Sequence, residues 1–201
     1  MKYSLFLFLA ASICFSAQGQ DRTIIGSYWT GLSYGHSSFD NGDSNALSLN
    51  ANLALHSNVS IGLGLGFSDV NYDFGADGDG VSGLMGVAFH NKFNSGNEVT
   101  FDPYIAISTG FSSLDVDIFS WTTIPITLAV GSEIMFSDFF ALTPSIGVTG
   151  YLDDDNLDLD TLFRYGLAGN FFINDHFSLG LSIEGNSEST FNFGVHSRIH
   201  F

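Results

Sequence analysis

Residues able to do chemistry are few here, and their spacing is regular. His196, Arg198 and His200 occupy every second position near the end of the chain. Upstream, Glu184, Arg164, Glu133, Asp102 and His90 each stand next to an apolar neighbour and belong to the polar half of an alternating run. Acids and bases placed this way suit three kinds of chemistry. They can neutralise one another as ion pairs, because a confined charge without a partner is costly. They can line a pore. They can supply a base to a nucleophile, which requires the two within hydrogen-bond reach. For catalysis, His196 beside Ser197 is excluded as a direct pair, since adjacent residues of a strand point to opposite faces. His196 with Ser178 or Ser182 is the combination left open. His36 and His176 fall in or near connections and read as solvated side chains.

A second set of candidates is acidic. DFGADGDG carries Asp73, Asp77 and Asp79, and DDDNLDLD carries Asp153 and Asp155 among five aspartates. Hard divalent cations take such oxygen ligands. The twelve-residue calcium-loop spacing with its terminal Glu is absent, so no metal is assigned to these candidates. No cofactor is expected.

The elements that position these residues follow from a period of two. In VSIGLGLGFS, Val59, Ile61, Leu63, Leu65 and Phe67 form one set, and Ser60, Gly62, Gly64, Gly66 and Ser68 the other. A helix would scatter both sets around its circumference, whereas a strand separates them. The same alternation recurs over 46–56, 81–91, 99–111, 122–136, 140–152, 161–173, 177–187 and 190–201, with a less regular first segment within 23–35. Ten strands are predicted, or eight if the first pair is miscounted. Breaks of two kinds alternate between them. HSSFDNGDSN, DVNYDFGADGDG, SSLDVDIFSW and DDDNLDLD are long and acidic, whereas HSN, FSDF and NDH are short. NKFNSGNE is the longest of the second kind and NSES a short exception to the first. Long loops on one rim and turns on the other are the pattern of a transmembrane barrel.

The composition decides which face is wet. The chain is 45% hydrophobic and only 13% charged, so a soluble β-domain would lack the charged outward face it needs. The second face is Ser, Gly, Ala, Thr and Asn, which suits the inside of a narrow barrel. The apolar set then meets lipid, where a closed ring is required to pair every backbone group. Trp29, Trp121, Tyr28, Tyr34, Tyr72, Tyr104 and Tyr151 are candidates for interfacial girdles or for ordinary strand filling.

The first 19 residues read as a secretory signal peptide: Lys2, an apolar run from Leu5 to Phe15, and small residues Ala17 and Gly19 before a cleavage point. The barrel is assigned to residues 20–201. The one cysteine, Cys14, lies in the signal, so no disulfide is expected. The whole chain carries a formal charge of −16, and cleavage would remove Lys2 and no acid. Nucleic acid is a poor partner for such a surface.

With its signal peptide, its alternating segments, its acidic connections and a chain that ends on Phe201, the protein resembles the small outer-membrane β-barrels of Gram-negative bacteria, the OmpA/OmpX-like and opacity-type barrels. The resemblance covers the mature chain and is architectural. No motif selects a subfamily, and the count of ten departs from the eight strands common there. It implies location in the outer membrane, contact with its lipid and lipopolysaccharide, and recognition by the barrel-assembly machinery; divalent cations at the outer rim, bridging it to lipopolysaccharide phosphates, are read from the acidic connections themselves. In that family a final strand ending in an aromatic is the assembly signal, and the matching residues are Phe193, Val195, Ile199 and Phe201. The expected role is a non-catalytic structural or surface-interaction barrel whose lumen holds an ion network of Arg164, Glu184, Arg198, Glu133, Asp102 and His196. A narrow channel for small solutes is the alternative, and a lipid-modifying enzyme a more distant one.

Overall fold

A computed structural model describes residues 24, 27–94, 99–116, 119–153 and 160–201. The proposed signal peptide lies outside these residues. Ten long strands follow one another: β1 (Trp29–Phe39), β2 (Gly42–His56), β3 (Val59–Tyr72), β4 (Asp77–His90), β5 (Thr100–Val116), β6 (Phe119–Ser137), β7 (Phe140–Asp153), β8 (Asp160–Asn174), β9 (Phe177–Asn186) and β10 (Phe191–His200). A two-residue strand, Phe93–Asn94, pairs with Thr100 and Phe101 inside the β4–β5 connection.

Each strand pairs antiparallel with the next, and β1 pairs with β10 from Trp29↔His200 to Ser38↔Phe191. The sheet is therefore a closed ring with no free edge along its wall. Both β1 and β10 have their outer chain ends on one rim, called here the terminal rim. The other is the distal rim.

Alternation along the strands sorts side chains by medium. Leu63, Leu65 and Phe67 of β3 are 42, 56 and 64% exposed, while Ser60 and Ser68 of the same strand are 1 and 7% exposed. The outer belt continues through Leu47, Met85, Ile107, Ile126, Ile146, Leu167, Leu181 and Val195. The buried set includes Ser48, Asn50, Asn52, Ser82, Ser108, Thr123, Thr149, Asn170 and Ser178. Greasy residues outside and polar residues inside reverse the order of a water-soluble domain. They match a wall with lipid around it.

Three of the four long acidic loops expected on the distal rim are mostly strand, and the fourth, DDDNLDLD, falls largely outside the described residues. β1 and β2 are joined across Asp40 and Asn41 alone, and β3 and β4 across residues 73–76. Gly75 adopts a φ of 83° in the second of these turns, a left-handed conformation that glycine takes without steric cost. Ladder pairing carries straight through Asp43, Asp69, Asp77, Asp79 and Asp115. The strands that carry them, β2 to β5, are 14 to 17 residues long, against about 9–11 needed to cross the hydrocarbon. The acidic residues thus sit on a β-collar that continues the wall beyond the membrane, on the same outward positions that carry Leu47, Phe67 and Val81 lower down.

The assignment of aromatics also changes. Trp29, Tyr104 and Tyr151 are buried inside the barrel, whereas Tyr28 and Tyr34 face outward. Tyr72 packs on an interior apolar cluster. The side chain of Trp121 lies outside the description.

Candidate functional site: the barrel lumen

The lumen is filled in layers. Toward the distal rim, Val70, Leu114, Val116, Tyr151 and Leu162 make a buried apolar cluster, with Phe39, Tyr72 and Ala76 packed against it. These five lie at lumen positions of β3, β5, β7 and β8. Below them Arg164 of β8 donates from Nη2 to Glu184 Oε2 of β9 at 2.6 Å. The two side chains are 13 and 12% exposed, so this is a largely desolvated, charge-assisted bond.

The middle of the lumen is a hydroxyl and amide layer. Asn50 Nδ2 donates to Ser33 Oγ at 2.6 Å, Ser37 donates to Asn192 Oδ1 at 2.7 Å, and Thr127 and Thr149 share a bond of 2.9 Å. A cavity of about 30 Å³ lies here, lined in part by Ser33, Asn50, Ser182 and Asn192. That volume holds roughly two water molecules.

Nearer the terminal rim, Asn170 of β8 is the hub. Its Oδ1 accepts from Arg198 Nη1 at 2.6 Å and is 3.0 Å from His196 Nε2. Arg198 also stands over the Trp29 ring, 5.1 Å from its centroid. His200 Nε2 is 2.8 Å from Ser178 Oγ. Across the lumen, His90 Nδ1 and Asp102 are 3.3 Å apart. Glu133 is completely buried beside Asp102 in the register, and its Oε2 accepts the backbone N–H of Ile24.

Ile24 is itself fully buried, against Met135, Ala141 and Phe172. Asn52 Nδ2 donates to Ser27 O at 2.7 Å. Ile24 and Ser27, ahead of β1, therefore sit in the terminal mouth of the barrel, a placement that residue alternation could not reveal.

The residues singled out from sequence thus fall into separate groups. Arg164 and Glu184 meet each other in the distal half. Arg198 and His196 meet through Asn170, while Glu133 and Asp102 lie together on β6 and β5. The Ser–His pairing differs from the one left open: Ser178 bonds His200, and His196 is taken by Asn170. Tilt explains the shift, because β9 and β10 pair Ser178 with Arg198 and so bring His200 alongside it. Ser178 is 0% exposed, so in this arrangement no substrate reaches its hydroxyl. His36 faces outward near Asn45 Oδ1 at 3.1 Å, and His176 lies in the β8–β9 turn near His200 O.

Among the described residues no group of three or more His, Cys, Asp or Glu side chains has metal-holding geometry. Asp73, Asp77 and Asp79 are exposed and do not converge. Asp155 and the side chain of Asp153 lie outside the description. The acids form a different pattern: Asp69, Asp79 and Asp115 are direct ladder partners on β3, β4 and β5, all outward and exposed. At the end of β10, Phe193, Val195 and Ile199 face outward, and Phe201 N–H bonds Tyr28 O at 3.0 Å with its ring 78% exposed.

No protein-family model matches this sequence. No curated protein matches it either. Solved structures do. The translocator domain of the autotransporter NalP from Neisseria meningitidis aligns over 92% of both chains with a TM-score of 0.53 at 9% identity. An outer-membrane channel from Pseudomonas putida F1 aligns over 92% of this chain and 99% of its own, with a TM-score of 0.51 at 12% identity. The β-domain of the Bordetella autotransporter BrkA aligns over 88% and 99%, with a TM-score of 0.50 at 13% identity. At such identities the likeness concerns the fold, and it agrees with the inverted alternation, the closed ring and the apolar belt. The chain is a ten-stranded antiparallel transmembrane β-barrel with the fold of the Gram-negative outer-membrane barrels.

Proposed function

We propose that the protein is a closed, non-catalytic outer-membrane barrel with a structural or surface-interaction role. Both chain ends face the periplasm and the acidic collar faces outward. The supporting observation is that both ends of the lumen are occupied, by the Val70–Leu114–Val116–Tyr151–Leu162 cluster on one side and by Ile24 with Met135, Ala141 and Phe172 on the other. The cavity beside Ser33, Asn50, Ser182 and Asn192 takes waters rather than solutes. In planar bilayers the purified barrel is expected to give no steady single-channel conductance. A stable conducting state would overturn the closed reading in favour of a narrow channel, the role named for the Pseudomonas neighbour.

Partners follow from the surface. The collar of Asp43, Asp69, Asp77, Asp79 and Asp115 repels lipopolysaccharide phosphates unless divalent cations lie between, so it engages that lipid through bridging ions. Phe201 with Ile199, Val195 and Phe193 is the segment offered to the assembly machinery. An acidic surface of this kind leaves nucleic acid without a binding face.

A further inference from the structure

The lipid-facing wall carries a groove of about 670 Å³ across β5 to β9, with Phe191 of β10 at one end. Its floor is the backbone of one ladder row, Tyr104↔Gly131↔Ser145↔Gly166↔Glu184, whose side chains belong to the lumen side. One wall is the outward row Val130, Ile146, Tyr165, Gly185 and Phe191. The other is Pro103, Ser132, Pro144, Leu167 and Ile183.

Local sequence opens this groove. Pro103, Ser132 and Pro144 are short side chains side by side on β5, β6 and β7. Tyr165 leans away along its row: a Cβ at Gly185 would lie 2.6 Å from its hydroxyl oxygen. Pro144 has no N–H to give β6, and the β6–β7 ladder passes from Gly131↔Ser145 to Ile134↔Leu142 without partners between. All three prolines of the chain fall on β5, β6 and β7. One break in the lacing of the wall therefore lies where the groove crosses it.

We propose that this groove is a binding site for one acyl chain of a phospholipid. Four inter-strand spacings give it a length of ~19 Å, the scale of an extended long-chain acyl group. It begins at Pro103, three residues from the start of β5 near the terminal rim, and crosses obliquely toward the distal half at Phe191. With the terminal rim toward the periplasm, that is the direction in which an inner-leaflet phospholipid inserts its chains; the choice of lipid rests on this orientation. The hydrophobic effect adds nothing, since the chain leaves one apolar medium for another. The gain is close packing on three sides in place of a void.

The test uses the full barrel in mild detergent with dipalmitoyl phosphatidylethanolamine and lipid A offered together, read by native mass spectrometry. Heat-modifiable mobility confirms folding of each variant. The wild type is expected to hold one phosphatidylethanolamine per barrel. Ser132→Phe, which fills the groove, is expected to lower that occupancy at least tenfold, and Leu167→Trp is a second filling variant should the first not fold. Ala51→Phe, outward on β2, is expected to retain the lipid. Equal occupancy in filled and wild-type barrels, no bound lipid in the wild type, or lipid A bound in place of phospholipid would each overturn the proposal. Retained phospholipid in a barrel that conducts would sink the closed-lumen reading and leave this one standing.

Discussion

Arg164→Met tests whether the distal lumen behaves as a protein interior. The substitution leaves Glu184 at 12% side-chain exposure without the guanidinium that reaches it at 2.6 Å. Removing one partner of a desolvated pair costs about 3–5 kcal/mol, because the remaining charge stays out of water. The lumen has hydroxyls and amides nearby, so the lower end applies. About 3 kcal/mol corresponds to a roughly 150-fold change in the unfolding equilibrium. The double change Arg164→Met with Glu184→Leu removes both charges and keeps the volume, and is expected to fall within about 1 kcal/mol of the wild type. The coupling between the two sites is then on the order of 2 kcal/mol or more in a double-mutant cycle. The assay is equilibrium urea unfolding in phospholipid vesicles, followed by tryptophan fluorescence. Single-variant costs below about 0.5 kcal/mol would mean that water reaches the pair as it does on a protein surface, and the packed-lumen argument would fail.

Other consequences are as direct. Gly180→Ala places a methyl group on the His196 ring and 2.6 Å from Asn170 Oδ1. It is expected to destabilise the barrel by about 1–3 kcal/mol, measured in the same urea assay, since rigid neighbours must move. On the collar, Asp69, Asp79 and Asp115 are aligned like charges, which repel across a ladder. Chelation of divalent cations is therefore expected to lower the melting temperature of the wild type more than that of an Asp79→Asn variant; equal shifts would remove the bridging-ion reading.

Much of this architecture was legible because the wall separates two media. Any strand crossing it must alternate, and Val59 to Ser68 does so at every position. The strand ends were less legible on the distal side. There the outward positions change from Phe67 and Val81 to Asp69 and Asp79 while the backbone pairing continues. A polarity switch marks where lipid ends, not where the strand ends. The lumen was legible as a set of charged residues and not as a set of contacts. Strand tilt and register decide that Ser178 meets His200, and nothing in the spacing marks Asn170 among the other interior asparagines. Trp29 looks like a girdle residue by type, yet it turns inward to stack on Arg198. Ile24 falls inside the segment 23–35 read as the first strand, yet β1 begins only at Trp29, and a period of two that is weak there gives no information about where Ile24 packs.

The β1–β10 seam has a further meaning in time. Trp29 is zipped to His200, residues separated by nearly the whole barrel. Every other ladder joins neighbours in sequence and can form as the chain arrives, but this one waits for the last residues. Until then β1 and β10 are two open margins whose backbone groups have nothing to bind in hydrocarbon. A chain short of its last strand is thus not a smaller barrel but an unclosed sheet. Insertion is tied to completion, and the slowest, longest-range contact is the one that commits the protein to the membrane.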